Sequence, residues 1–137
     1  MKTQEMIARE EALGKRIESY WDTRSPAFSD VRRRELEGPD AALWQHLLEH
    51  HLPQGRLLRV LDVGTGAGFF AVLLTRMGHE VAGIDMSAGM IDEAQKNLAA
   101  FGCRADFRKM NAQQLDFSDE SFDVVISRNL TWTLPDA

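Results

Sequence analysis

A glycine-rich segment between an apolar stretch and a helical stretch constrains the fold of this chain more than any other feature. Residues 64–68 read Gly-Thr-Gly-Ala-Gly. The preceding residues 57–63 are mostly apolar, as in a strand that a parallel sheet buries on both faces, and residues 69–77 have a helical pattern. Glycine lacks a Cβ and reaches positive φ freely, so the segment predicts a tight strand-to-helix turn.

Each glycine of this turn has a predicted role, and an acidic residue on the next strand completes the pattern. Gly64 permits the sharp turn, Gly66 lets a ligand approach the backbone, and Gly68 lets the following helix pack close to the sheet. That helix would present free N–H groups to an anionic group. Asp85, 21 residues after Gly64, is positioned to accept hydrogen bonds from both hydroxyls of a ribose. Met86 beside it would lie against an adenine face.

The residues after the turn favour a nucleoside over a dinucleotide or a triphosphate. The dinucleotide-binding fingerprint has its third glycine at the position of Phe69. No Gly-Lys-Ser/Thr follows the glycines, so no phosphate-binding P-loop is predicted. The pattern disfavours a nicotinamide-dependent oxidoreductase, which stays open as an alternative, and favours a nucleoside without a pyrophosphate.

The rest of the second half alternates strands with helices. Residues 80–85, 105–110 and 122–127 are predicted as further strands. Ser87 is a predicted N-cap for a helix that ends at Phe101. The apolar face of that helix consists of Ile91, Ala94, Leu98 and Phe101. This alternation predicts an α/β fold with right-handed parallel crossovers.

The first 55 residues are predicted to be helical. Residues 3–21 suit an amphipathic helix with the apolar stripe Met6, Leu13, Ile17 and Tyr20. Residues 22–38 are interpreted as a loop with a short helix around 28–36, and the run Arg32-Arg33-Arg34 as a solvated face. Pro39 is expected to start another helix, whose apolar face would be Leu43, Leu47, Leu48 and Leu52.

The composition excludes several classes of protein. The chain has 137 residues, with 16 Lys and Arg against 21 Asp and Glu and a formal net charge of −5, which gives no electrostatic attraction for a nucleic acid. It has no apolar run near the roughly 18 residues of a membrane span, and no signal-peptide core at its start. A lone cysteine, Cys103, cannot build a disulfide framework. We therefore expect a small cytoplasmic domain.

One short motif matches a metal-binding pattern in its residue types and their spacing. His46 and His50 stand four residues apart with Glu49 between them, as in the H-x-x-E-H pattern of one class of zinc peptidases. No downstream acidic helix stands out as a source of a third ligand, and the intervening leucines fit a core-facing helix. No metal site is therefore predicted.

Four segments together resemble a known family. They are VLDVGTGAGFF at the glycine turn, VAGIDMS at the second strand, MNAQQLDF after the third and FDVVISRN at the fourth. With them, residues 56–137 resemble the S-adenosylmethionine (SAM)-binding core of the class I, Rossmann-like methyltransferases, particularly the type 11 small-molecule group. Residues 1–55 resemble the helical lead-in or lid of such enzymes more loosely, through YWDTRSPAF. The resemblance implies a four-stranded parallel sheet in the order 3-2-1-4.

The resemblance also implies SAM as the cofactor and a set of residues that bind it. Asp62 and Gly64 would contact its methionine part, and Arg128 would border the methyl-transfer site. Asn111 departs from the family's usual Asp, which would accept from the adenine amino group. The implied cofactor-binding residues are Asp62, Gly64, Thr65, Gly66, Gly68, Asp85, Met86, Asn111, Ala112, Gln113, Arg128, Tyr20 and Arg24. The last two would close over the cofactor carboxylate.

The resemblance implies methyl transfer to an unidentified small-molecule acceptor. Either this chain is the enzyme, or it is the cofactor-binding part of such an enzyme. A non-catalytic SAM-binding subunit that needs a partner chain is the alternative. The family's sheet continues beyond the fourth strand, whereas this sequence stops ten residues after residue 127. Residues 122–127 are therefore expected to form an apolar edge strand. A second copy in a homo-oligomer, or the remainder of a longer chain, would cover it.

Overall fold

The computed structural model describes residues 3–110 and 122–127, apart from the side chains of residues 7 and 10. Within these ranges it contains helices and strands in the order α1 (Gln4–Glu37), α2 (Asp40–His51), β1 (Arg59–Val63), α3 (Phe69–Arg76), β2 (Glu80–Asp85), α4 (Ala88–Ala100), β3 (Asp106–Lys109) and β4 (Val124–Ile126). The predicted strands and the helices of the second half are all present, with ends displaced by a few residues at most.

The four described strands form one parallel sheet in the order β3-β2-β1-β4. Val60 of β1 pairs with Val81 of β2 on one side and with Val124 of β4 on the other. This confirms the α/β, Rossmann-like fold and its strand order. The carboxyl ends of β1 and β2, the two central strands, therefore lie side by side, and β1 leads there into the glycine turn.

Two apolar clusters lie on opposite faces of the sheet, as the alternation of strand side chains requires. Val60 belongs to a large cluster with the fully buried α3 residues Ala71, Val72, Leu73 and Leu74. The smaller cluster on the other face consists of Leu61, Val63, Ala82 and Ile84, with Met110 and Phe122 packed against it. Both faces of β1 are thus buried, which explains its nearly continuous apolar sequence.

Helix α1 is continuous over 34 residues, so the predicted loop at residues 22–38 is wrong. Pro26 inside the helix has no N–H to donate to the carbonyl of Asp22. The Ser25 hydroxyl donates to that carbonyl instead, at 3.1 Å. Because the freed carbonyl has a partner, the helix passes through the proline and ends at Gly38, whose N–H donates to Glu35 O.

The buried face of α1 also differs from the prediction. Met6, Leu13 and Tyr20 of the expected apolar stripe are 42–49% exposed. The helix instead packs on α4 through its second half, where the buried residues are Ser25, Ser29 and Leu36. In residues 3–110 and 122–127 no helix is long and apolar enough to cross a membrane.

The predicted apolar face of α2 is half wrong. Leu48 and Leu52 pack on the core as expected, but Leu43 and Leu47 are exposed. The aromatic ring of Trp44 takes their place, and its centroid lies edge-on 6.0 Å from that of Phe69 and 5.6 Å from that of Phe70. The inward face thus comprises Ala41, Trp44, Leu48 and Leu52.

The arginine run of α1 is only partly a solvated face, contrary to the prediction. Arg34 is exposed, but Arg32 and Arg33 are half-buried. Arg32 forms an ion pair with Glu35, and its guanidinium lies 4.5 Å from the centre of the Phe28 ring. Arg33 donates two hydrogen bonds to the Asn97 side chain of α4.

Candidate cofactor-binding site

The glycine turn adopts the left-handed backbone that its sequence predicts. Gly64, Gly66 and Gly68 have φ values of 70°, 54° and 85°, a region that L side chains rarely adopt. The N–H of Thr65 donates to Ile84 O of β2 at 2.8 Å, and the N–H of Gly68 donates to Thr65 O at 3.0 Å. The turn is therefore held against the carboxyl end of β2.

The space above two of the glycines is filled by neighbouring helices. A Cβ at Gly66 would lie 3.3 Å from Phe28 of α1, and a Cβ at Gly68 would lie 2.9 Å from Leu98 and 3.3 Å from Ala94 of α4. The atoms nearest to these two positions therefore belong to α1 and α4. The predicted roles of Gly66 in ligand approach and of Gly68 in packing the helix on the sheet stay predictions. Phe28 was not singled out, although it ends the YWDTRSPAF segment.

Asp85 ends β2 with its carboxylate directed at the glycine turn. Its Oδ2 accepts the Gly66 N–H at 3.0 Å, and its Oδ1 accepts the Ser87 N–H at 3.0 Å. Burial raises the pKa of Asp85, while these N–H groups and that of Met86 oppose the rise. A carboxylate offers about four lone-pair sites, so the group retains capacity for a hydroxyl donor. Acid and turn are thus joined by a hydrogen bond, and the binding of a ribose by Asp85 stays a prediction.

Asp62 lies beneath the turn and supports it. Its side chain is buried, and its Oδ2 accepts a hydrogen bond from the Thr65 hydroxyl at 2.8 Å. Burial raises the pKa of Asp62 to about 7, the Thr65 hydroxyl lowers it, and the nearby charge of Asp85 raises it further. The contact of Asp62 with the methionine part of a cofactor stays a prediction.

Helix α1 is attached beside the same acid through Asp22, which the sequence analysis did not identify. Asp22 Oδ1 accepts the Ser87 hydroxyl at 2.5 Å and the Gly89 N–H at 3.0 Å, and both bonds lower the pKa of Asp22. Ser87 is the N-cap of α4, as predicted, since its Oγ accepts the Met90 N–H. Because the Ser87 N–H also donates to Asp85, α1 is connected to the acid by one intermediate residue.

The two α1 residues predicted to close over the cofactor pair with each other. The Arg24 guanidinium lies 3.7 Å from the centre of the Tyr20 ring, and the Tyr20 ring meets Trp21 edge-on at 5.2 Å. Trp21 in turn meets Phe28, which lies over Gly66. In the described structure it is therefore Phe28 that α1 brings to the turn, and the roles of Tyr20 and Arg24 stay predictions. Met86, half-buried, follows Asp85 as expected.

Some predicted site residues lie outside the described part of the chain. These are Asn111, Ala112, Gln113 and Arg128. In the part that is described, no group of three or more His, Cys, Asp or Glu side chains could hold a metal ion. The His46 and His50 pair of α2 lies in this part of the chain.

The fold and the site define a class of protein. A parallel sheet in this order, with a glycine turn after one central strand and an acid at the end of its neighbour, is the Rossmann-like nucleoside-binding arrangement. Residues 60–137, more than half of the chain, match the family described as "Methyltransferase domain". The chain belongs to this family of SAM-dependent methyltransferases.

Individual relatives agree with the family. The chain is 40% identical over 70 residues to a ubiquinone biosynthesis O-methyltransferase from Azorhizobium caulinodans, covering 51% of this chain and 28% of the relative. It is 32% identical to the enzyme of that name from Paramagnetospirillum magneticum, covering 96% of this chain and 53% of the relative. The chain thus spans about half or less of the length of these relatives.

A solved structure supports the fold. Phosphoethanolamine N-methyltransferase 1 from Haemonchus contortus, in complex with phosphoethanolamine and S-adenosylhomocysteine, superposes with a TM-score of 0.70 at 24% identity. The superposition covers 91% of this chain and 27% of that one, and so includes most of the N-terminal helices as well as the sheet.

Proposed function

We propose that this chain binds SAM at the carboxyl ends of β1 and β2 and takes part in methyl transfer to a small-molecule acceptor. The observation that carries the proposal is the hydrogen bond from the Gly66 N–H to Asp85 Oδ2. It joins the glycine turn to the acid. The family's cofactor has a ribose, whose hydroxyls can donate to that acid, and it has no pyrophosphate.

Each part of the site has a role in this proposal. Asp85 accepts hydrogen bonds from the ribose hydroxyls, next to the turn at Gly66. When bound, SAM supplies a methyl group already activated by its sulfonium. The work left to the protein is positioning of the methyl group in line with the acceptor, which lowers the barrier by several kcal/mol. Residues 1–55 act as a lid over residues 56–137, with Phe28 at the turn.

We propose a hydroxyl oxygen of a small molecule as the methyl acceptor. The relatives named as O-methyltransferases support this choice. The remaining predicted contacts, at Tyr20, Arg24, Asn111 to Gln113 and Arg128, belong to the same proposal. Arg128 would border the acceptor and the others the cofactor.

The proposal is tested by isothermal titration of S-adenosylhomocysteine into the purified chain and its variants. We expect micromolar binding by the wild type. Asp85→Ala removes two hydrogen bonds to a charged acceptor, each contributing about 1.5–3 kcal/mol, so the affinity should fall at least about 100-fold. Asp92→Ala removes an exposed carboxylate from α4 and serves as the control, with affinity unchanged.

The outcomes separate the candidate functions. Equal affinity of Asp85→Ala and wild type would contradict the proposed site. Binding that depends on Asp85, followed by methyl transfer to a hydroxyl compound, supports the enzyme. The same binding without transfer to any acceptor until a partner chain is added would indicate the non-catalytic SAM-binding subunit instead.

We further propose that the chain is cytoplasmic and that it forms a homo-oligomer. The lone Cys103, a half-buried free thiol, fits a reducing cytoplasm. β4 is an edge strand of the described sheet, and its Val125 is 62% exposed. Unpaired backbone groups along such an edge favour pairing with another strand, and we propose that a second copy of this chain supplies it.

A further inference from the structure

A buried amide lies where α1, α4 and the glycine turn meet. Asn97 is fully buried on the face of α4 that otherwise carries apolar residues. Transfer of an amide from water to such a position is unfavourable unless its polar atoms find partners. A leucine would pack there without that penalty, so the choice of an amide needs an explanation.

All hydrogen-bonding groups of the Asn97 side chain have partners. Its Nδ2 donates to the Ala67 carbonyl at 2.9 Å and to the Ser29 hydroxyl at 3.0 Å. Its Oδ1 accepts from Arg33 Nε at 3.1 Å and from Arg33 Nη2 at 2.8 Å. An amide provides two donors and one oxygen with two lone pairs, and each is used.

The bond to Ala67 reaches the centre of the glycine turn. Ala67 is the residue between Gly66 and Gly68, both of which have positive φ. The Ala67 carbonyl belongs to the same peptide group as the Gly68 N–H, which donates to Thr65 O. The two bonds together fix the orientation of this peptide. The N–H of Gly66 in turn donates to Asp85, so the orientation of this turn determines the shape of the site that faces the ribose.

The bonds to Arg33 and Ser29 come from a different element. Both residues belong to α1, more than 60 positions away in sequence, and Ser29 is fully buried. The amide thus joins the turn to α1 as well as to α4. A carboxylate at position 97 could pair with Arg33 but could not donate to Ala67, and leucine could do neither.

We propose that Asn97 is a positioning residue for the glycine turn, and that Arg33 and Ser29 of α1 hold its amide in the orientation that donates to Ala67. Cofactor affinity therefore depends on the docking of α1 at a point remote from the ligand. This inference rests on the proposed function for its effect on affinity, but its effect on the turn is measurable without a ligand.

The main test uses Asn97→Asp, which retains an acceptor for Arg33 and removes the Nδ2 that donates to Ala67 and Ser29. The Ser29 hydroxyl can donate to the new carboxylate instead, whereas the Ala67 carbonyl cannot. We expect S-adenosylhomocysteine affinity to fall about tenfold or more, the effect of one buried hydrogen bond. In the ligand-free protein, the amide resonances of Gly66 and Gly68 should shift. The control is Val81→Ala, a buried substitution at the opposite end of β2 from Asp85.

The control separates positioning from general destabilisation. Val81→Ala should lower the melting temperature while leaving the two glycine resonances and the affinity at wild-type values. If Asn97→Asp folds and binds as tightly as wild type, or if its glycine resonances do not move, the proposal is overturned. If the wild type binds no S-adenosylhomocysteine, the proposed function fails, and the glycine resonances alone decide the positioning role.

A second pair of variants keeps the test decisive if Asn97→Asp does not fold. Arg33→Ala removes both donors to Asn97 from the surface of α1, and Arg34→Ala removes an exposed neighbour that donates within α1, to Asp30 O. We expect weaker binding and shifted Gly66 and Gly68 resonances for Arg33→Ala, and wild-type behaviour for Arg34→Ala. Equal results for the two variants would contradict the inference.

Discussion

At the scale of single residues, the proposed site contains two carboxylates, the half-buried Asp85 and the buried Asp62, which differ in what surrounds them. Asp85 accepts N–H groups from Gly66 and Ser87, which favour its charged form. Asp62 accepts the hydroxyl of Thr65 and is more deeply buried. Burial raises the pKa of both groups, and at Asp62, where a single hydroxyl opposes it, the pKa rises to about 7.

The raised pKa of Asp62 predicts a pH dependence of stability. In the unfolded chain the group loses its proton near 3.8, and in the folded chain near 7. Between these values the folded state binds more protons, so the contribution of Asp62 to the free energy of unfolding is full below pH 3.8 and is lost as pH rises to 7. Asp62→Asn should remove this dependence, which amounts to a few kcal/mol.

Urea denaturation of both proteins at a series of pH values from 4.5 to 7.5 measures the effect. The wild type should lose stability relative to Asp62→Asn as pH rises, with the difference levelling above pH 7.5. Asp92→Asn, at an exposed position, should follow the wild type. Parallel curves for wild type and Asp62→Asn would show that Asp62 is ionised in the folded protein throughout this range.

At the scale of elements, helix packing depends on missing side chains as well as on apolar ones. Gly68 begins α3 and lies against Leu98 and Ala94 of α4. Gly78 follows α3, has a similar φ of 94°, and would have nothing within 4 Å of an added Cβ. Both glycines have a positive φ, but only Gly68 would place an added Cβ against a neighbouring helix.

Alanine at Gly68 and alanine at Gly78 should therefore lower the free energy of unfolding by different amounts. Gly78→Ala carries the left-handed backbone penalty, about 1–2 kcal/mol. Gly68→Ala carries the same penalty and also crowds Leu98, which adds about 1–3 kcal/mol. Urea denaturation at one pH compares their free energies of unfolding. If both variants lose the same free energy of unfolding, α4 must move away from Gly68 without an energetic penalty.

At the scale of the whole molecule, the described sheet ends at β4. Val124 and Ile126 pack inward, while Val125 between them is exposed. If a second copy pairs with this edge, size-exclusion chromatography with light scattering should give a dimer at micromolar concentration. Val125→Lys places a charge at the contact and should shift the chain to monomer.

A matched substitution elsewhere on the surface provides the control. Leu43 of α2 is 64% exposed, about as much as Val125. Leu43→Lys should leave the dimer intact. A wild type that elutes as a monomer at micromolar concentration would refute the assembly, and dissociation by both lysine variants would place the contact elsewhere.

The sequence by itself determined the described strands and helices of the second half and the glycine turn beside Asp85. The apolar stretch at β1, the glycines, Asp85 and the Ser87 cap act over short distances, so each element can be recognised from its own residues. The strand order and the turn conformation at Gly64 followed from these local signals and from the family resemblance, and the structure confirms them.

Tertiary structure alone decided how the first helix takes part. The stripe containing Met6 and Leu13 predicted the wrong face, because α1 docks on α4 through polar contacts from Asp22, Ser29 and Arg33. Polar residues on a helix ordinarily indicate solvent, and their partners lie more than 60 positions away in sequence. The hydrophobic periodicity of α1 cannot identify partners that are so distant in sequence. The contact of Phe28 with the turn, the role of Asn97 and the pKa of Asp62 arise from burial and proximity, which exist only once the chain has folded.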